Sequence, residues 1–75
     1  MKYSITTFEK GSDALIEEVE VEVCNVDALA ALFREPVETF VNVYPISSAE
    51  AVGLVEMFGI DLDLAAADYF LEVSE

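Results

Sequence analysis

With 75 residues, the chain has room for one small hydrophobic core but not for a second lobe or an enclosed active-site cavity. Apolar residues make up 55% of it, including five Phe and three Tyr, a content that disordered chains lack, so a folded domain is expected. Sixteen acidic residues against three basic ones and no His give a formal charge of −13; Lys2, Lys10 and Arg34 cannot neutralise a phosphate surface, which excludes direct binding to nucleic acid or to an anionic membrane.

In chain order, Tyr3 to Phe8 alternates aromatic and β-branched residues with polar ones, and the polar stretch Glu9-Lys10-Gly11-Ser12-Asp13 leads into a second run, Leu15 to Val23. The pair predicts a β-hairpin. In the second run Val19, Val21 and Val23 point to one face while Glu18, Glu20 and Glu22 point to the other, which predicts a buried valine face and an acidic ladder opposite it. Cys24, at the end of this run, reads as a small buried apolar residue.

Asn25 is an N-cap for a helix in which Val26, Leu29, Ala30, Leu32 and Phe33 follow the helical period and Asp27 lies in the first turn, where the macrodipole favours negative charge. Pro36 is expected to end it. Thr39 to Tyr44 predicts a strand closed by Pro45, which lacks the donor that a central ladder needs. Ser47 and Glu50 have capping-box spacing ahead of a second helix with Ala51, Leu54, Val55 and Phe58 on one stripe and Gly59 at its C-terminal cap. Gly53 inside that helix is unfavourable by about 1 kcal/mol relative to Ala, which points to a close packing approach. After the alternating segment Ile60 to Leu64, a last strand is expected around Asp68 to Val73.

The fold class is thus α+β: a single acidic domain over residues 1–75, element order ββαβαβ, with a mostly antiparallel four-stranded sheet and both helices packed on one face. Glu18, Glu20 and Glu22 would then stand on the open face, with Phe8 and Phe70 beside them if the register allows.

Catalysis finds little to stand on. There is no His, Cys24 has no activating partner in the sequence, and no glycine-rich phosphate loop occurs, so no enzyme activity is expected. Paired carboxylates can cleave glycosides, but only with a cleft to hold the sugar and raise one pKa. Asp61, Asp63 and Glu72 occupy positions one, three and twelve of a calcium-loop spacing, but Ala65 and Ala66 stand where an oxygen ligand and a glycine belong. No metal and no cofactor are expected.

A single cysteine cannot close an internal disulfide, and Thr6, Thr7, Glu9 and Lys10 interrupt any secretory layout at the N-terminus, so the expected compartment is the cytoplasm. No apolar run reaches the roughly 18 to 20 residues that span a bilayer.

The charge itself asks for a partner. Self-repulsion among so many carboxylates opposes the compact state, while attraction to a basic protein surface speeds association and selects the partner. The expected contact residues are Glu18, Glu20, Glu22, Asp61, Asp63, Asp68 and Glu72, in a monomer or a 1:1 complex. A glutamate row also has a simpler use, since charges on an edge strand discourage sheet-to-sheet aggregation.

Leu32-Phe33, then Tyr44-Pro45-Ile46-Ser47 and a short helix, then Asp68-Tyr69-Phe70-Leu71-Glu72 resemble a family of short acidic bacterial proteins and the small immunity proteins encoded beside polymorphic toxins. Arg34-Glu35 stands where such a chain is expected to carry a glycine-containing turn. The resemblance implies an immunity or inhibitor protein that neutralises a basic toxin, for instance a nuclease, by steric and electrostatic occlusion. Two other readings fit the same charge: a phage-type nucleic-acid mimic of the anti-restriction or anti-CRISPR class, and a homodimerising accessory module joined through a sheet edge.

Overall fold

The structure is a computed structural model, and it describes residues 1–74. Strand β1 (Lys2–Glu9) turns into β2 (Leu15–Val21); helix α1 (Val26–Leu32), a single 3-10 turn at Val37–Thr39, strand β3 (Val43–Pro45), helix α2 (Ser48–Phe58) and strand β4 (Ala67–Ser74) follow. The order is the expected ββαβαβ, and the four strands form one antiparallel sheet in the order β2-β1-β4-β3. The first and last strands of the chain are therefore neighbours at its centre, in register from Lys2↔Ser74 to Glu9↔Ala67.

That register sorts the side chains. Tyr3, Ile5 and Thr7 share a face with their partners Val73, Leu71 and Tyr69, and Ile5, Leu71 and Val73 join Leu29 and Ala30 of α1 and Ala51 and Leu54 of α2 in one buried cluster. Phe40, just after the 3-10 turn, is buried in the same cluster and stacks on Tyr44 at 5.0 Å, with Phe33 6.2 Å away. Both helices thus lie on one side of the sheet, leaving the face of Ser4, Thr6, Phe8, Phe70 and Glu72 without a helix.

Local chemistry explains the elements. The β1–β2 turn holds Gly11 (φ 89°) and Asp13 (φ 58°) in left-handed backbone, clamped by Glu9 N–H donating to the Ala14 carbonyl at 2.8 Å. The Asn25 side chain accepts from Ala28 N–H at 3.1 Å and caps α1. At the N-terminus of α2, the Ser47 amide donates to Glu50 Oε1 at 3.0 Å and the Ser47 hydroxyl donates to the same oxygen. Gly59 (φ 65°) terminates α2 by donating to Val55 O. Gly53 faces α1 so closely that a Cβ there would lie 2.6 Å from Leu32 Cδ1, the close approach expected of a glycine inside a helix.

Several expectations need correction. Strand β2 stops at Val21, not Val23, and its valine face is only partly covered: Val21 and Val23 are half-buried against the core, whereas Val19 is 41% exposed. Cys24 is exposed, lying in the bend after β2 and not in the core. Helix α1 ends before Pro36 is reached. Arg34 adopts φ 58°, and Arg34 N–H to Ala31 O and Glu35 N–H to Ala30 O, both 3.0 Å, form a Schellman closure without glycine. The strand expected from Thr39 to Tyr44 is shortened to Val43–Pro45, since Thr39 closes the 3-10 turn by donating to Pro36 O; Pro45 is tolerated because β3 is an edge. The alternating segment Ile60 to Leu64, ahead of the last strand, is a loop whose apolar residues pack on the core.

Candidate functional site

On the open face the pairings lay the side chains out in rows across the strands. One row reads Glu20, Ser4, Glu72, Val43; the next reads Glu18, Thr6, Phe70, Pro45; a third holds Leu15, Phe8 and Asp68. Two residues along a strand put Glu18 and Glu20 about 7 Å apart, and two strands across put Glu20 and Glu72 about 10 Å apart. Glu18, Glu20 and Glu72 line one polar depression of about 320 Å³ together with Lys2, Ser4 and Ser74. The other half of the face is aromatic: Phe8 and Phe70 meet edge to face at 5.5 Å, beside Val43, which is 52% exposed. Thr6, between Glu18 and Phe70, is buried, and its hydroxyl donates to Phe70 O at 3.4 Å.

The seven candidate residues do not form one surface. Glu18, Glu20 and Glu72 come together as described. Asp68, on β4, shares their face but is held at 2.9 Å by Lys10 of the β1–β2 turn, so one carboxylate is already partnered. Glu22 lies past the end of β2 beside a separate hollow lined by Val23, Cys24, Leu29, Met57 and Phe58, so it is not a rung of the ladder. Asp63 is engaged in its own turn, with Ala65 N–H donating to its carboxylate at 3.2 Å and Ala66 and Ala67 donating to its carbonyl. Asp61 faces the helix side, at a groove of about 230 Å³ between the inner face of β1 and β2 and the loop after α2.

Two features went unselected in the sequence. Glu17 lines that inner groove with Val19 and Val21, a position legible from the same alternation that set the ladder, since Glu17 shares parity with the valines. Lys2, the cation beside Glu18, Glu20 and Glu72, could be found only once β1 was seen to separate β2 from β4. Among the titratable groups, hydrogen bonds from the Ser47 hydroxyl and amide hold Glu50 below the usual glutamate range, and partial desolvation and then the Glu35 carboxylate push the Tyr44 phenol up.

The exposed area is 4809 Å², so an interface of ordinary size, about 800 Å² per partner, would take up about one sixth of the surface, the scale of one sheet face. Among the described residues, no helix is long and apolar enough to cross a membrane. No curated protein matches the chain. Residues 2–72 match the family described as Domain of unknown function (DUF7683), a span that takes in every element but the last two residues of β4, and the chain belongs to that family.

Proposed function

We propose that this protein is a non-catalytic binding protein of the immunity or inhibitor type, which occupies a basic surface on a partner protein, a toxin of the nuclease class being the chemistry that fits best. The reading is carried by one observation: Glu18, Glu20 and Glu72, drawn from the two strands flanking β1, converge on one uncovered sheet face beside the Phe8–Phe70 pair. Aromatic anchors next to a charged rim are the arrangement from which protein interfaces draw affinity and selectivity. The formal charge of −13 adds long-range steering toward a cationic partner. Inhibition would be occlusion: the open face covers the partner's cationic groove and keeps its substrate out.

The test is retention of a basic protein from extract of the producing cell, washed at low and at high salt. The wild-type chain should hold one such protein at low salt and release it as salt rises. The triple variant Glu18→Lys, Glu20→Lys, Glu72→Lys should lose it, and unchanged retention would remove the open face from the interface. Release of several unrelated basic proteins by excess duplex DNA would instead make the chain a nucleic-acid mimic.

A further inference from the structure

The β2 edge of the sheet is unusually open. All of β2 except Val21 is exposed on both faces, Leu15 and Ile16 each to 58%, and β2 pairs only with β1, so its outer row of backbone donors and acceptors is free among the described residues. Behind it lies the inner groove of about 230 Å³, with an apolar floor that includes Ile5, Val19, Val21 and Leu62 and carboxylates from Glu17 and Asp61 at its lining. Thr7 also lines this groove; it is 8% exposed, and its hydroxyl makes no hydrogen bond among the described residues.

From this geometry we infer that the partner supplies an extended segment that pairs with β2 as a fifth strand, its apolar side chains entering the inner groove and its lysines or arginines lying on the open face against Glu18 and Glu20. The inference rests on the reading that the partner is basic, and adds how it is held. A strand alternates its side chains between faces, so a segment of period two meets both sides of β2 at once. On the groove side, Val19 and Val21 take apolar residues while Glu17 and Asp61 select a cation at the rim; on the other side, Glu18 and Glu20 take every second residue. A second copy of this chain is the wrong occupant. Antiparallel pairing of β2 with itself centred on Glu18 sets that carboxylate against its own copy, and pairing centred on Val19 sets Glu18 against the copy's Glu20; like charges directly opposite each other destabilise a sheet.

The probe is a capped heptapeptide of alternating lysine and valine, titrated onto the full chain at low ionic strength, alongside two versions N-methylated on all lysines or on all valines. Methylation leaves the charge unchanged but blocks one backbone edge, because alternate residues of a strand point their N–H groups in opposite directions. Strand addition predicts that one methylated peptide loses at least tenfold in affinity while the other keeps it, with amide shifts confined to β2, Thr7 and residues 60–62. Val19→Lys should weaken the unmethylated peptide at least tenfold, whereas Val52→Lys, the same charge change on the exposed side of α2, should do so less than threefold. Equal binding of both methylated peptides overturns strand addition and leaves the basic-partner reading standing, since that attachment is then electrostatic alone. Failure of the unmethylated peptide to bind, or a salt-insensitive dimer that protects the β2 amides, overturns it as well, while the open face is still judged by its own charge reversal.

Discussion

Strands β1 and β2 run side by side through six registered pairs and are built from the same kinds of residue, yet one lies in the core and the other at the surface. In β1, Ile5, Thr6 and Thr7 are all buried; in β2, six of the seven residues are exposed, and only Val21 is partly covered. The difference does not come from their sequences. It comes from neighbours: β1 has β4 on its other side and helices above it, while β2 has solvent beyond it and meets the helix-covered core only at Val21. Alternation thus fixes which way a side chain points, and topology decides whether anything is there to meet it.

The sharpest way to break this comparison is to cut equivalent apolar side chains from the covered and the bare parts of the inner face. Ile5 pairs with Leu71 on one side and Val19 on the other, so all three stand in one row. Leu71 is fully buried, and Leu71→Ala is expected to cost about 2–5 kcal/mol. A domain of this size is stabilised by only about 5–10 kcal/mol in total, so that variant should be largely unfolded in mild urea. Val19→Ala, at 41% exposure, should cost about 0.5 kcal/mol. Urea melts of the two variants decide it, and a Val19→Ala cost rivalling that of Leu71→Ala would mean that the β2 edge is covered in solution.

The same contrast explains how much of the molecule could be read from its sequence. The element order, the α2 capping box and the left-handed Gly59 follow from local chemistry, and each stands where the residues indicated. What failed depended on distant partners. Val19 looks like a core residue by pattern and is exposed because β2 takes the edge; Cys24 is apolar by type and exposed because the chain leaves the sheet there. Arg34 occupies a left-handed turn usually given to glycine, so a rule based on residue type missed the end of α1. In the candidate site, Glu18 and Glu20 follow from parity within one strand, but their grouping with Glu72 and Lys2 needed the placement of β4 beside β1.

The helical cover over the central strands offers a smaller lever, at the start of α2. Ser47→Ala removes the hydroxyl that holds Glu50 and should cost about 1 kcal/mol at neutral pH. Because Glu50 titrates below its ordinary 4.5 when folded, the stability it contributes is present above that value and is lost as pH falls through the folded pKa. The gap between wild type and Ser47→Ala should therefore close on acidification. Protonation of the other carboxylates meanwhile relieves the self-repulsion of a −13 chain, which shifts both proteins together and leaves the gap as the readout. Paired denaturant melts on either side of the glutamate range measure it, and a gap that widens in acid would remove the cap from this account.

The smallest expected effect probes how the two covering helices meet. Alanine at position 53 gains about 1 kcal/mol of helix propensity over glycine, but its Cβ would come within 2.6 Å of Leu32 Cδ1 and 2.9 Å of Cδ2, so Leu32 must swing aside. Leu32 is half-buried at the last position of α1, and its methyl groups can move at the expense of contacts with the core. The two effects nearly cancel, and Gly53→Ala alone should change stability by only about 0.3 kcal/mol in either direction. In a Leu32→Ala background the obstacle is gone and the same substitution should recover close to its full gain of about 1 kcal/mol, a coupling that a double-mutant cycle reads directly. If Gly53→Ala were worth its full propensity in the wild-type chain, α2 would stand further from α1 than described here. The cover that separates β1 from β2 would then be looser than the contrast between those strands requires.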